Sequence, residues 1–261
     1  MLKAIMFDLD DTLIWDEKSV DNAFKKACGL AAKKSDVDPD LLEQKIRENA
    51  QDLFASYDTY AFTEMIGISP FEGLWADFDD DGQSFQRLKA IVPEYRKRAW
   101  ARSLQEAGVD DAELATELAG TFQGERRKRQ FVYEETFDVL NDLKDNYRLL
   151  MLTNGSPDLQ QTKLAITPEL KPYFDHIVIS GAFGKGKPDP SIFEYALELL
   201  SVEKDEALMV GDNPYSDILG ASRAGIPSVW INHHKAEVKD VRQTYEISRL
   251  KELLNVLERI D

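Results

Sequence analysis

Asp8 and Asp10 stand two residues apart, with Thr12 two further on, where the apolar run Leu2-Lys3-Ala4-Ile5-Met6-Phe7 ends. Carboxylates are costly beside a core, so a strand that ends on them marks the sheet edge at which open α/β proteins bind ligands. Two such groups can serve one phosphate ester. One attacks phosphorus and forms an aspartyl-phosphate, which divides one hard displacement into two easier ones. The other protonates the departing alkoxide and later takes a proton from the water that hydrolyses the intermediate. Asp8, at the strand tip, is the candidate nucleophile, and Asp10 the candidate general acid and base.

Three later stretches carry the remaining chemistry, each just beyond an apolar strand-like run. Thr153-Asn154-Gly155 follows Arg148–Leu152, Lys187 lies in Gly184-Lys185-Gly186-Lys187-Pro188-Asp189-Pro190, and Asp212 and Asp217 lie in Gly211-Asp212-Asn213-Pro214-Tyr215-Ser216-Asp217. Each alone reads as an ordinary turn, loop or helix start. In a parallel sheet all of them converge on one edge with Asp8 and Asp10. A carboxylate and a phosphate ester repel each other, so a hard cation is expected between them. Mg²⁺ fits, with Asp8, Asp212 and the Asp10 backbone carbonyl as its expected ligands. Asp217 is placed either to hold a metal-bound water or to orient Lys187. The Thr153 hydroxyl, Asn154 with nearby backbone N–H groups, and the Lys187 ammonium would clamp the phosphoryl oxygens. Lys185 is expected to face solvent.

These residues need a scaffold, and the chain supplies its pattern. Helix-like segments at about 137–143, 157–165, 190–200 and 215–224 alternate with continuous apolar runs at 148–153, 176–180, 207–212 and 227–231. That alternation predicts an α/β fold with a buried parallel sheet and crossover helices, closed by an amphipathic helix near 250–257. Residues 16–131 read as helical, with many charges and no convincing strand. The expected organisation is a discontinuous α/β core of residues 1–15 and 132–261 with an all-helical insert, 16–131, after the first strand. An insert there is expected to act as a lid.

Composition excludes several classes. A formal net charge of −16 argues against a nucleic-acid partner, because a polyanion would be repelled overall. The single cysteine, Cys28, rules out an intrachain disulfide and a cysteine-based zinc site. The first strand begins almost at the N-terminus and no apolar run is long enough for a membrane span, so a cytoplasmic protein is expected. The basic clusters Arg96-Lys97-Arg98 with Arg102 and Arg126-Arg127-Lys128-Arg129 are expected on solvated faces, as is the acidic run Asp77–Gly82. His176, His233 and His234 lack metal-ligand spacing and are expected in surface or core positions. Most aromatic residues of the insert should be helix packing, with Trp15 the best candidate to line a substrate pocket.

The four stretches resemble the signature motifs of the haloacid dehalogenase-like hydrolase superfamily over the whole core. Asp8 and Asp10 match its DxDxT motif, Thr153 its second, Lys187 its third, and Asp212 with Asp217 its acidic fourth. Asp11 stands where that family often has glycine. The resemblance implies a Rossmann-like doubly wound sheet, a C1-type helical cap, and a helical turn with a hairpin flap supplied by Leu13–Val20. It also implies a Mg²⁺-dependent phosphatase acting on a small-molecule phosphate ester. The dehalogenase branch needs no metal and no second carboxylate in the first motif, so the retained Asp10, Asp212 and Asp217 speak against it. A phosphomutase of the β-phosphoglucomutase type and a regulatory phosphometabolite-binding protein stay open as alternatives.

Overall fold

The structure, a computed structural model, describes residues 1–128 and 130–260. In chain order its strands are β1 (Ala4–Phe7), β2 (Arg148–Thr153), β3 (His176–Ile179), β4 (Ala207–Gly211), β5 (Ser228–Ile231) and β6 (Tyr245–Ile247). Its α-helices are α1 (Asp16–Lys34), α2 (Pro39–Ala55), α3 (Tyr60–Ile66), α4 (Pro70–Gly73), α5 (Gln83–Glu106), α6 (Ala112–Lys128), α7 (Thr136–Leu143), α8 (Pro157–Ile166), α9 (Ser180–Phe183), α10 (Pro190–Leu200), α11 (Leu219–Ala224) and α12 (Leu253–Ile260). Among the described residues no helix is long and apolar enough to cross a membrane.

Two compact units result. One comprises Met1–Asp16, Phe131–Gly155 and Thr167–Asp261; the other comprises Glu17–Gln130 and Ser156–Ile166. Arg129, the last of the second basic cluster, lies outside the described residues.

The first unit is a parallel six-stranded sheet in the order β3-β2-β1-β4-β5-β6. The chain builds outward from β1 on one side, then returns to lay β4 on the other. The reversal beside β1 is the switch point at which such sheets bind ligands. Every residue of β1 is buried, and five of the six in β2, which is why these strands read as continuous apolar runs. Ala4, Met6, Leu150, Leu152, Ala207 and Met209 present one face to Ile192, Phe193, Ala196 and Leu200 of α10. The short β6, Tyr245-Glu246-Ile247, has no counterpart in the sequence reading.

The predicted flap differs. Residues 11–13 form a turn, Ile14 pairs with Val132 in an antiparallel bridge, and α1 starts at Asp16, so Leu13–Val20 forms no hairpin. Beyond β4 the predicted helix at 215–224 is divided: a π-turn covers Pro214–Ile218 before α11 begins.

The second unit is helical. α1 turns Val20, Ala23, Phe24, Ala27, Cys28 and Ala31 inward at helical spacing. Cys28 is one of these core residues, and burial pushes its thiol up to about 12. α2 is started by Asp38, whose carboxylate accepts from the Asp40 and Leu41 backbone N–H groups, with Pro39 at the first helical position. Trp75, Phe78, Tyr95 and Trp100 are buried here, as expected of packing aromatics.

α8 belongs to this helical unit, although its sequence position lies between two strands of the sheet. Leu159 joins the helical core, and Lys163 meets Glu72 at 2.9 Å with their side chains 0% and 10% exposed. The Asp80 carboxylate accepts from the Ser156 hydroxyl and, at 2.7 Å, from the Asp158 backbone N–H. Two expectations are thereby corrected. The acidic run is not a fully solvated loop, since Asp80 caps α8 and Phe78 is buried. Arg96 is likewise buried, because its guanidinium satisfies the Gly73 and Ala76 carbonyls where α4 ends; burial brings its pKa down to about 10. Arg126 is fully buried as well, its guanidinium lying 4.9 Å from the centre of the Trp75 ring.

The Lys163–Glu72 pair predicts a measurable asymmetry. Lys163→Met leaves the Glu72 carboxylate buried without its ammonium and should cost about 3 kcal/mol. Adding Glu72→Gln should return most of that loss, because both charges are then gone. Denaturant unfolding of the two variants checks it; equal losses would mean that the pair's charge is irrelevant.

Candidate active site

β1 delivers Asp8 one residue past its last rung, and the Asp8 backbone N–H donates to the Val210 carbonyl at 3.0 Å. Asp8 therefore sits between the ends of β2 and β4, with its side chain 11% exposed. From β2 the chain emerges at Thr153, fully buried, and then Asn154. The two ends of the Asn154 amide are used on the Lys187 backbone: Oδ1 accepts from the Lys187 N–H at 2.8 Å and Nδ2 donates to its carbonyl at 2.9 Å. Gly186 is needed beside this clamp, because a Cβ there would lie 2.8 Å from Asn154 Oδ1. A side-chain amide expected to touch substrate thus holds the next motif in place.

Lys187 is the hub. Its Nζ donates to Asp8 Oδ1 at 2.6 Å and to the Leu152 carbonyl at 2.7 Å, and lies 2.7 Å from Asp217 Oδ1 as an ion pair. Burial alone would drive that ammonium toward neutrality, but the carboxylates of Asp217 and Asp8 outweigh it and raise its pKa. It stays charged. Lys185 behaves as expected, more than half exposed and paired with Asp189 at 3.2 Å.

β4 supplies the last acids. Asp212 follows Gly211 directly, and its carboxylate accepts from the Thr12 hydroxyl at 3.2 Å. Its backbone carbonyl accepts from the Trp230 indole N–H at 2.7 Å. The π-turn brings Asp217 back over Gly211, where a Cβ would overlap the Asp217 carboxyl, and Asp217 Oδ2 accepts from the Asn213 N–H at 3.0 Å. Thr12, given no role from sequence, ties the first motif to the fourth. Its signal was its place two residues beyond Asp10.

One carboxylate oxygen each from Asp8, Asp212 and Asp217 lies within 4.8 Å of the others. The Asp10 carboxylate is not part of that cluster. Three clustered acids face the Lys187 ammonium, and the excess of negative charge is visible in their acidity. Burial pushes Asp8 up to about 7, with Asp217 and Asp10 adding to the rise and Lys187 opposing it. Asp212 is raised as well, first by burial and then by Asp217 and Asp8. Such a hard, oxygen-only and under-compensated donor set is what a small divalent cation satisfies.

A family model for haloacid dehalogenase-like hydrolases matches residues 2–225. The chain belongs to the haloacid dehalogenase-like hydrolases. Among relatives of this family, the chain is 38% identical over 231 residues to a phosphoserine phosphatase of Thermus thermophilus, covering 88% of this chain and 89% of the relative. It is 30% identical to a glyceraldehyde 3-phosphate phosphatase of Pyrococcus furiosus over 99% of this chain and 94% of that protein. The haloacid dehalogenase-like fold is matched as well by the solved structure of YfnB from Bacillus subtilis, a HAD-hydrolase bound to magnesium. That match has a TM-score of 0.68 at 22% identity and covers 98% of both chains.

Proposed function

We propose that the chain is a Mg²⁺-dependent phosphatase that hydrolyses a small phosphorylated metabolite through an aspartyl-phosphate. The observation that carries this reading is the Lys187 ammonium held between Asp8 and Asp217, with Asp212 beside them at the sheet's switch point. Both relatives named above are phosphatases of small phosphate esters, which supports the same substrate class. The net charge of −16 makes a nucleic-acid substrate unfavourable, and the lone Cys28 suits a cytoplasmic setting.

The division of labour follows from position. An Asp8 carboxylate oxygen attacks phosphorus while the ester P–O bond breaks, and Asp10 gives its proton to the departing alkoxide. Water then attacks the phosphorus of the aspartyl-phosphate, Asp10 takes its proton, and orthophosphate leaves with Asp8 regenerated. The Thr153 hydroxyl and Lys187 hold the phosphoryl oxygens, and Asn154 acts through the Lys187 backbone it grips. Asp8, Asp212 and Asp217, with the Asp10 carbonyl, would hold Mg²⁺. When bound, the ion supplies positive charge that offsets the repulsion between nucleophile and ester. Asp10, Asp212 and Asp217 have no use in a metal-free dehalogenase, which weighs against that branch.

Orthophosphate release from phosphoserine, glyceraldehyde 3-phosphate and p-nitrophenyl phosphate, with Mg²⁺ and with a chelator, tests the reading. Release is expected with Mg²⁺ and not with the chelator; none between about pH 5 and about pH 9 would sink it. A thermal shift gives a second readout. Metal binding requires ionised carboxylates, and Asp8 titrates at about 7, so Mg²⁺ should stabilise more above that pH than below it. At about a hundredfold excess over its dissociation constant, roughly 3 kcal/mol or about 5–10 °C is expected near pH 8. Near pH 5 most of that shift should vanish.

A further inference from the structure

β5 ends at the same sheet edge as the other motif-bearing strands, and what it carries there is His233. Asn232 turns the chain immediately after the strand. Its Oδ1 accepts from the Ala236 N–H at 2.8 Å, while its Nδ2 donates to the Ala236 carbonyl at 3.0 Å and to Glu246 Oε1 at 2.8 Å. From this partly buried knot the imidazole reaches back toward the first motif, where Nε2 lies 2.9 Å from the Asp11 backbone carbonyl. A carbonyl only accepts, so Nε2 carries the proton. The other side of the ring is held by stacking. Tyr133 lies on His233 at 4.7 Å and 12°, and Trp15 lies on Tyr133 at 5.4 Å and 13°.

The peptide so gripped is unusual. Asp11 has φ +57°, the left-handed region that side chains other than glycine rarely adopt. It is flanked by Asp10 on one side and by Thr12, the donor to Asp212, on the other. A change in the Asp11 backbone torsions would re-aim the chain on either side, Asp10 on one and Thr12 on the other. A strained residue persists only where its surroundings over-determine it, and His233 supplies a directional bond at that point. The backbone around it is cross-tied as well, with Trp15 N–H donating to the Phe131 carbonyl at 2.7 Å.

We infer that His233 is a positioning residue for Asp10, acting through the Asp11 carbonyl that it holds by its Nε2–H. The inference rests on the phosphatase reading, because its consequence is the proton transfer assigned there to Asp10. A misaimed acid slows the chemical step more than it weakens substrate binding.

The test is steady-state kinetics of the full chain with Mg²⁺ and p-nitrophenyl phosphate. His233→Ala and His233→Phe should lower kcat about tenfold with KM changed less than about twofold. His233→Gln, whose amide nitrogen can occupy the Nε2 position, should recover kcat to within about threefold of the parent. The Phe variant keeps a ring to stack on Tyr133 and loses the Nε2 donor together with Nδ1. Parental kcat in His233→Phe would overturn the inference, as would an equal loss in all three variants. Nitrogen-15 spectra of labelled histidine add a readout independent of turnover, and a His233 protonated at Nδ1 alone would also overturn it. An active parent with unaffected variants defeats this inference and leaves the phosphatase reading standing; an inactive parent defeats the phosphatase reading and the inference that rests on it.

Discussion

Asp8→Asn should abolish phosphate release, by at least about 10⁴-fold, while leaving a folded and, near neutral pH, more stable protein. The loss follows from chemistry: an amide oxygen does not attack phosphorus as a carboxylate does. The stability gain follows from the raised acidity constant. Asp8 has an ordinary value of 3.8 and stands at about 7 in the fold, with burial as the main cause. A carboxyl whose folded-state pKa is raised takes nothing from stability below its unfolded value. Its cost grows as pH rises from there and is complete above the folded value. In metal-free buffer the Tm of Asp8→Asn should therefore exceed that of the parent by several degrees near pH 8, and by nothing near pH 4. Added Mg²⁺ should narrow or reverse the difference, because the parent keeps a carboxylate proposed to hold the ion and the variant lacks it. Near-normal turnover in the variant would refute Asp8 as nucleophile, and a pH-independent Tm difference would refute the account of its acidity.

Lys187→Met should damage both stability and rate. Methionine can follow the path of the lysine stem but brings neither its charge nor its hydrogen bonds to Asp8 and the Leu152 carbonyl. Asp8 and Asp217 would then face each other and Asp212 with no ammonium between them. Removing one partner of a buried ion pair typically costs about 3–5 kcal/mol, which for a chain of this size is a Tm lower by roughly 10 °C. The deficit should be greatest at high pH, where the carboxylates are ionised, and shrink as pH falls and Asp8 protonates. Mg²⁺ should restore part of it, since a second cation enters the same cluster of acids. Phosphate release should stay down by about 10³-fold even then, because the group proposed to clamp the transferring oxygens is gone. A Tm within about 2 °C of the parent near pH 8 would mean that Lys187 does not compensate the acids.

Most of the α/β frame was legible because its signals are local. β1, β2, β3 and β4 are mostly apolar runs long enough to stand out, and α10 has the predicted bounds 190–200. β6 escaped because three residues, Tyr245-Glu246-Ile247, with a charged centre leave no run to detect. The π-turn at Pro214–Ile218 escaped because its cause is the Asp217 carboxyl returning to the Asn213 N–H over a side-chain-free Gly211, a contact invisible in periodicity. The hairpin expected of Leu13–Val20 is replaced by a turn and by α1, since Ile14 bridges back to Asp10 and pairs antiparallel with the distant Val132.

Charged runs were the least readable part. Arg96 and Asp80 look like members of solvated clusters, yet each is drawn inward by partners 20 to 78 residues away. Whether a charge is solvated depends on which carbonyls and N–H groups the fold leaves beside it, and composition carries no trace of that. His233 has the same history: its partner lies 222 residues earlier in the chain.

By itself, the sequence determined that Asp8, Asp10, Thr153, Lys187, Asp212 and Asp217 follow apolar runs, and a parallel sheet carries residues so placed to one edge. Only the tertiary structure decided how they divide the work: Lys187 between Asp8 and Asp217, Asn154 spent on the Lys187 backbone, Thr12 on Asp212, and His233 on Asp11. Strand ends are set by local hydrophobic pattern. The partners of a buried polar group are set by distances between segments far apart in the chain, which exist only after the chain has folded.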